Sequence, residues 1–210
     1  RFDISLSLFE KSYEIRKRIL GIKNEHTLSS LSKLAFNYEE IGNHKQAITL
    51  YTELYEARCV VIGPAHEDTL ATLSNLAYSY EEDGDYQNAV LFCKKVYDAY
   101  CEKFGEYHSE ILTALNALAD VYRKIGCFND SSDLFAKGYR ICLENVGSDH
   151  PVTLKFEYLL ANSFLEIRQL ESAYKLFKDL FEHYNRILGE KHPNTIIVKE
   201  RMELLRTVLM

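Results

Sequence analysis

The sequence predicts an all-α fold of about ten helices, paired antiparallel and stacked as a solenoid. Three observations carry that prediction. Glycine recurs every 21 residues, at Gly21, Gly42, Gly63, Gly84, Gly105, Gly126, Gly147 and Gly189, with Gly138 alone off the grid. A phrase LxxLAxxYxxxG recurs every 42 residues, and a small residue follows its glycine by five places.

Glycine reaches positive φ without penalty, so it suits the position just past a helix end. One glycine per 21 residues therefore reads as one helix and one turn. Subtracting the turn leaves helices of roughly 16 residues, about 25 Å long. Two kinds alternate. Helix A carries Leu31, Leu34, Ala35 and Tyr38, then Leu73, Leu76, Ala77 and Tyr80, then Leu115, Leu118, Ala119 and Tyr122. These fall at i, i+3, i+4 and i+7, which is one helical face. Helix B carries Ala47, Ala89, Ser131 and Ala173, followed by the large residues Tyr51, Cys93, Phe135 and Phe177, then Tyr55, Tyr97, Tyr139 and Phe181. The alanine of helix A, repeated as Ala161, lets the paired helix approach closely, and the rings around it fill a core.

In chain order, residues 1–20 are a lone helix B, with Phe9 and Tyr13 in the register of Tyr51 and Tyr55. Four A–B pairs follow over 22–62, 63–104, 105–146 and 147–188, in one continuous solenoid over 1–210. The fourth pair departs from the phrase, with Glu157, Phe164 and Arg168 in place of Leu, Tyr and Gly. Its A–B turn is expected to differ in geometry, or to run on through Gln169 and Leu170 without a positive-φ residue. Residues 189–210 hold a last helix A with Lys199, Met202, Glu203 and Arg206 at the phrase positions and Ile196, Ile197, Leu204, Leu205, Val208 and Leu209 around them. That is more apolar surface than one neighbour covers. An opening helix in mid-repeat and an initial Arg1 point to a piece of a longer chain.

Composition narrows the function classes. The chain is 47% hydrophobic and 27% charged, as expected of a packed globular protein. A formal charge of −6 and the lack of a basic stripe exclude general affinity for nucleic acid or an anionic membrane surface. No apolar run approaches the roughly 18 residues of a bilayer span. The five cysteines include no CxxC pair, which reads as reduced structural thiols in a cytoplasmic setting.

Two phrases add detail: Leu188-Gly189-Glu190-Lys191-His192-Pro193-Asn194-Thr195 and Gly147-Ser148-Asp149-His150-Pro151-Val152-Thr153-Leu154. With Leu73-Ser74-Asn75-Leu76-Ala77, they make the chain resemble tetratricopeptide repeats (TPR) in the 42-residue form of kinesin light chains. The resemblance spans essentially the whole chain. It implies a right-handed superhelix whose A helices line a concave groove for a peptide or partner domain, and it implies no enzyme activity and no cofactor. In the family, paired asparagines clamp a peptide backbone. Here one of each pair remains, Asn75 and Asn116, and the first copy has Lys33 instead.

Recurrent His66, His108, His150 and His192 invite a metal reading. They sit one per repeat, on the order of 10 Å or more apart by helix packing distances, whereas zinc ligands lie about 2 Å from one ion. Helix capping is the expected role, with Pro151 and Pro193 at the first helical position. His26, His44 and His183 read as scattered surface residues. No phosphate loop, nucleophile elbow or HExxH occurs, so the expected activity is binding alone.

The resemblance places ligand contacts on the stripe beside the core of each helix A. Taken with the asparagine positions, the candidate groove residues are Lys33, Phe36, Asn75, Tyr78, Glu81, Asn116, Asp120, Arg123, Tyr158 and Asn162. Small residues with Phe36, Tyr78 and Tyr158 between them suit an extended peptide with an apolar anchor. Residues 63–104 hold eight acids against three bases, and Glu39, Glu40, Glu81, Glu82 and Asp83 cluster at the ends of two A helices. A solvated edge explains such a cluster, and a functional one would attract a basic segment. Two alternatives to a groove remain open: self-assembly into a homo-oligomer through the solenoid ends, and regulation of an enzyme elsewhere in a longer chain.

Overall fold

The computed structural model describes residues 2–210, with side chains from residue 6 onward. Ten helices and no strand occur among the described residues: α1 (Phe2–Leu20), α2 (Glu25–Glu40), α3 (His44–Val61), α4 (Glu67–Glu82), α5 (Tyr86–Phe104), α6 (Ile111–Lys124), α7 (Phe128–Val146), α8 (Pro151–Glu166), α9 (Leu170–Leu188) and α10 (Pro193–Leu209). Even-numbered helices are the A type and odd-numbered ones the B type. The chain forms two compact units, residues 1–103 and 104–210. The helices are not uniformly near 16 residues: α2 and α4 have 16, but α5, α7 and α9 have 19. The B helix gains its extra turn because only three residues separate A from B.

Each A-to-B turn is closed by the same two hydrogen bonds. In the first, Gly42 N donates to Glu39 O at 2.9 Å and Asn43 N donates to Tyr38 O at 2.9 Å. Such a pair defines the Schellman closure of a helix and requires a left-handed residue between the donors. The fourth turn corrects the sequence expectation. Arg168 adopts φ 59°, and Arg168 N donates to Leu165 O at 3.1 Å and Gln169 N to Phe164 O at 2.8 Å. The turn keeps its geometry and places a side chain where glycine stood. The B-to-A glycines differ, since Gly147 lies at φ 84°, ψ 172°, a region essentially closed to other residues.

Caps follow from the B-to-A turns. The Nδ1 of His66, His150 and His192 accepts from the backbone N–H two residues on, at 3.2, 3.3 and 3.2 Å, and Asn24 does the same with its amide oxygen. Thr69 and Thr153 hydroxyls donate back to the carbonyls of Gly63 and Gly147 at 2.8 and 2.7 Å. The four recurrent histidines are thereby turn residues; His108 accepts in the same way from Glu110 N at 3.3 Å, but α6 opens only at Ile111, so there the bond closes the turn and caps no helix.

In unit 1, Tyr51 and Leu54 of α3 are buried with Leu31, Leu34 and Ala35 of α2 and with Leu73, Leu76 and Ala77 of α4. Two arginines of equal register stitch α1 to α2 and α3 to α4. Arg16 donates to Ser30 Oγ at 2.5 Å and Arg58 to Thr72 Oγ1 at 2.6 Å. In unit 2, Phe177 and Leu180 of α9 pack among Leu154 and Ala161 of α8 and Val198 and Leu205 of α10. Burying each such ring or leucine contributes roughly 2–3 kcal/mol against the unfolded chain.

The off-grid glycine now has a reason. A Cβ on Gly138 would stand 2.4 Å from the Phe156 ring, so α7 gives up a side chain to let α8 insert a phenylalanine. Elsewhere the same two positions hold a large and a smaller residue the other way round, Leu54 with Thr72 and Leu180 with Val198.

Gly138→Ala is expected to destabilise by about 1–3 kcal/mol through overpacking, and Phe156→Leu in the same chain should recover most of that loss in urea denaturation. Independent losses from the two substitutions would refute the compensation. For the turns, Gly126→Arg should cost about 1 kcal/mol, the usual left-handed penalty, whereas Gly147→Arg should cost about 2–3 kcal/mol. Equal costs would show that the two classes of turn do not differ.

Candidate functional site

The register left over by the core is occupied differently in the two units. In unit 1 it presents rings. Phe36 of α2 is 50% exposed and Tyr78 of α4 is 47% exposed, at the same position of their repeats. Beneath them a polar network joins three helices: Ser79 Oγ donates to Glu39 Oε2 at 3.1 Å, and Asn75 Nδ2 donates to the buried Tyr51 hydroxyl at 3.4 Å. Burial pushes the Glu39 carboxyl up from its usual range, against the pull of Ser79 and Tyr51. The Tyr78 hydroxyl is likewise pushed up, first by burial and then by the charges of Glu82, Glu39, Glu81 and Glu40. Lys33, one turn before Phe36, is exposed.

In unit 2 the same register is polar on α6 and α8, at Asp120 and Asn162, and much of it is bonded within the chain. A cleft of about 260 Å³, floored by Phe135 of α7, brings together Asp120 and Arg123 of α6 with Tyr158, Asn162 and Glu166 of α8. Asn116 Nδ2 donates to Asp120 at 3.1 Å, while its Oδ1 is buried without a partner. Arg123 lies 3.7 Å from both Asp120 and Glu166. Asn162 donates to Tyr158 O at 2.7 Å and accepts from Arg201 of α10 at 2.7 Å. The Arg201 guanidinium stands 5.7 Å from the Tyr158 ring centre and 5.9 Å from that of Phe177, within cation–π range. Tyr158 also packs edge-on against Phe177 at 6.1 Å, so this ring serves the fold as well as the surface.

A second recess recurs at the opposite end of the A helices. It is lined by Ser29, Arg58 and Asp68 in one repeat, by Thr113, Cys142 and Val152 two repeats on, and by Lys155, Tyr184 and Asn194 in the last, with volumes of about 470, 390 and 280 Å³. The residue rising from helix B sets each floor: a guanidinium, a thiol or a phenol. Burial alone pushes the Cys142 thiol up to about 11, which makes it a poor nucleophile.

One titratable pair lies inside unit 2. Glu157 takes the register of Leu31, Leu73 and Leu115 and is fully buried, with Oε2 3.4 Å from His183 Nδ1 and Oε1 without a partner. His183 is therefore no scattered surface residue, because α9 turns it inward onto this carboxyl. Burial pushes Glu157 up to about 7, opposed by His183, with Asp179 raising it further. Among the described residues no three His, Cys, Asp or Glu side chains are grouped as a metal site. No described helix is long and apolar enough to cross a membrane.

The family profile of the tetratricopeptide repeat matches residues 1–60 and 68–144, more than half of the chain. The chain belongs to the tetratricopeptide repeat family. The solved structures similar to this repeat protein include a kinesin light chain-like protein from Podosopora anserina with nearly identical TPR-like repeats, 21% identical over 89% of each chain with a TM-score of 0.80. BtubC (BKLC) from P. vanneervenii is 14% identical, covering 100% of this chain and 84% of that one, at 0.74. A Rap protein complexed with Competence and Sporulation Factor is 18% identical, covering 100% of this chain and 60% of that one, at 0.57. At such identities the likeness is one of fold. No curated protein matches the sequence.

Of the residues singled out from sequence, Asp120, Arg123, Tyr158 and Asn162 share one cleft of the repeat protein, and Asn116 bonds to its rim. Lys33, Phe36, Asn75, Tyr78 and Glu81 lie on α2 and α4 of unit 1. Arg201 escaped the sequence reading. It stands in the register of Lys33 and Asn75, and a fifth line in the repeat alignment would have exposed it.

For Glu157 the sign of the pH effect is fixed by the direction of its shift. Its ordinary value is 4.5 and its folded value about 7, so between them the native state holds a proton that the unfolded chain has lost. Stability is expected to fall as pH rises through that window and to level off above it. Glu157→Leu should flatten the profile and raise stability at pH 8, read by urea denaturation at several pH values; an unchanged slope would assign the dependence to other groups.

Proposed function

We propose that this tetratricopeptide repeat chain is a protein-interaction module that binds an extended segment of a partner on the exposed stripe of its A helices, without catalysing a reaction. The observation that carries the reading is the exposure of Phe36 and Tyr78. The fold buries the leucines of its repeat phrase and covers most of its tyrosines, yet these two rings remain half open at a register where packing asks for nothing. Rings held at two χ angles over a fixed polar network make low-entropy anchors. The same fold holds a bound factor in the Rap complex. Five free thiols fit the reducing, cytoplasmic setting in which such a module would work.

Self-association is the second reading, favoured by α10, where Leu204 is 66% and Val208 61% exposed. Against it, the face of α10 that would receive a further B helix carries Lys199, Glu203 and Arg206. Sedimentation over a hundred-fold concentration range decides: a monomer throughout ends this reading.

The groove reading is tested with peptides selected from a random display library. Tyr78→Ala and Asn75→Ala are each expected to weaken the selected peptides, Tyr78→Ala by about ten-fold or more, the loss typical of a hot-spot ring. Binding undiminished in both variants would move the site off this stripe.

A further inference from the structure

We propose that the recess of unit 1, where the end of α3 meets the first turns of α2 and α4, binds a phosphate monoester, the phosphorylated serine or threonine of a partner segment, through the Arg58 guanidinium. The proposal rests on the reading of this chain as a protein-interaction module, but not on the Phe36 and Tyr78 stripe.

The warrant is a half-buried cation that the fold orients but does not pair. Arg58 lines the recess of about 470 Å³. Its Nη1 donates to Asp68 O at 2.8 Å and to Thr72 Oγ1 at 2.6 Å, which fixes the plane of the group. Its Nε and Nη2 make no hydrogen bond to any described residue, and no described carboxylate lies within ion-pair distance of it. Burial pulls the guanidinium down from its usual range, opposed by the more distant charge of Asp68. Desolvating a charge without a partner costs free energy that an anion supplied from outside would offset. Arg16 of α1 makes the same two bonds, to His26 O and Ser30 Oγ, but stays exposed. Two repeats after Arg58 the register holds the Cys142 thiol, so the guanidinium floor is not a demand of the fold.

The number of donors around Arg58 selects phosphate over carboxylate. Nε–H and the adjacent Nη2–H form a fork that matches two oxygens of either anion. Lys33, Ser29 and Ser32 line the same recess with side chains that bond to no described residue. His66, also in the lining, accepts at Nδ1 from Asp68 N, so its neutral ring carries the proton at Nε2 and can donate from there. A phosphate monoester offers three strong acceptor oxygens and a charge of about −1.5 to −2, enough to use such a set, whereas a carboxylate offers two oxygens. Glu25 and Asp68 line the recess as well and oppose any anion. Both are exposed, Asp68 by 62%, so water and salt screen them, while Arg58 acts from a half-buried position where attraction at equal distance is stronger. The aliphatic Val61 and Ile62 of the same lining give the residues beside the phosphate apolar surface, which favours a peptide over free phosphate.

The test uses the whole chain and three fluorescent peptides of leucine and alanine that differ only in a central phosphoserine, serine or glutamate, with inorganic phosphate as competitor. Anisotropy titration is expected to show the phosphoserine peptide bound at least about ten-fold more tightly than the other two, with affinity that falls as salt rises. Arg58→Lys should weaken it about ten-fold, because an ammonium cannot reproduce the fork. Lys33→Gln should weaken it about three-fold; Lys33 is exposed, so a loss of folding does not account for that effect. In nuclear magnetic resonance spectra the Nε–H signal that disappears in Arg58→Lys should shift on adding the phosphoserine peptide, and that of Arg16 should stay in place. Equal binding of the phosphoserine peptide and either of the others, an unmoved Arg58 signal, or inorganic phosphate that binds as tightly as the peptide overturns the proposal. If the phosphoserine peptide fails while library-selected peptides respond to Tyr78→Ala, the interaction-module reading stands and this site falls. If the phosphoserine peptide binds as expected while selected peptides ignore both Tyr78→Ala and Asn75→Ala, the site stands and the stripe falls.

Discussion

The pair of hydrogen bonds that closes each A helix governs everything else. Asn43 N bonds to Tyr38 O at 2.9 Å, and Asp85, Cys127 and Gln169 repeat the bond to Tyr80, Tyr122 and Phe164. The donor of that bond is also the first residue of the next helix boundary, so the turn has no spare length in which to slip. A fixed three-residue reversal sets the rotation of helix B about its own axis relative to helix A. Ala35 and Ala47, seven residues before Gly42 and five after it, are consequently both fully buried. The recurrence of Ala77 with Ala89 and of Ala161 with Ala173 follows from the same geometry.

The glycine grid made that architecture legible, but it hid a distinction. Glycines ending A helices occupy the left-handed region, where an L-residue can go at a cost of about 1–2 kcal/mol. Glycines ending B helices, with ψ 172° at Gly147 and 162° at Gly189, occupy a region that a Cβ forbids. Identical letters at equal spacing stand for two constraints of different strength. Arg168 falls in the weaker class, which is why the chain could replace that glycine and keep its turn.

What the sequence did not disclose is coupling between residues far apart in the chain. Gly138 reads as an irregularity until Phe156, eighteen positions on, is seen to need its missing side chain. Glu157 reads as a lost leucine and His183 as a surface residue until α8 and α9 bring them to 3.4 Å. Periodicity reports which face is buried, because burial repeats along one helix. It is silent on which two faces trade volume or charge, since that depends on the rotation of neighbouring helices. The groove candidates divide on the same line. Exposure of Phe36 and Tyr78 follows from register alone, whereas the engagement of Asn162 and Tyr158 by Arg201 depends on a helix some forty residues later.

That engagement bears on how a repeat fold acquires binding specificity. The residues that build the solenoid are fixed by turn length and core volume, so variation is confined to the stripe beside the core. Where the chain fills its own stripe, as Arg201 and Arg123 do in unit 2, a ligand must displace an ordered contact and loses part of what it gains. Where the stripe is left open over a rigid network, as with Phe36 and Tyr78 above Ser79 and Glu39, the rings wait in place and the ordering cost falls on the ligand alone. Self-filling and openness are thus alternative uses of one stripe, and Arg201 shows that the side chain that fills it can come from the following A helix.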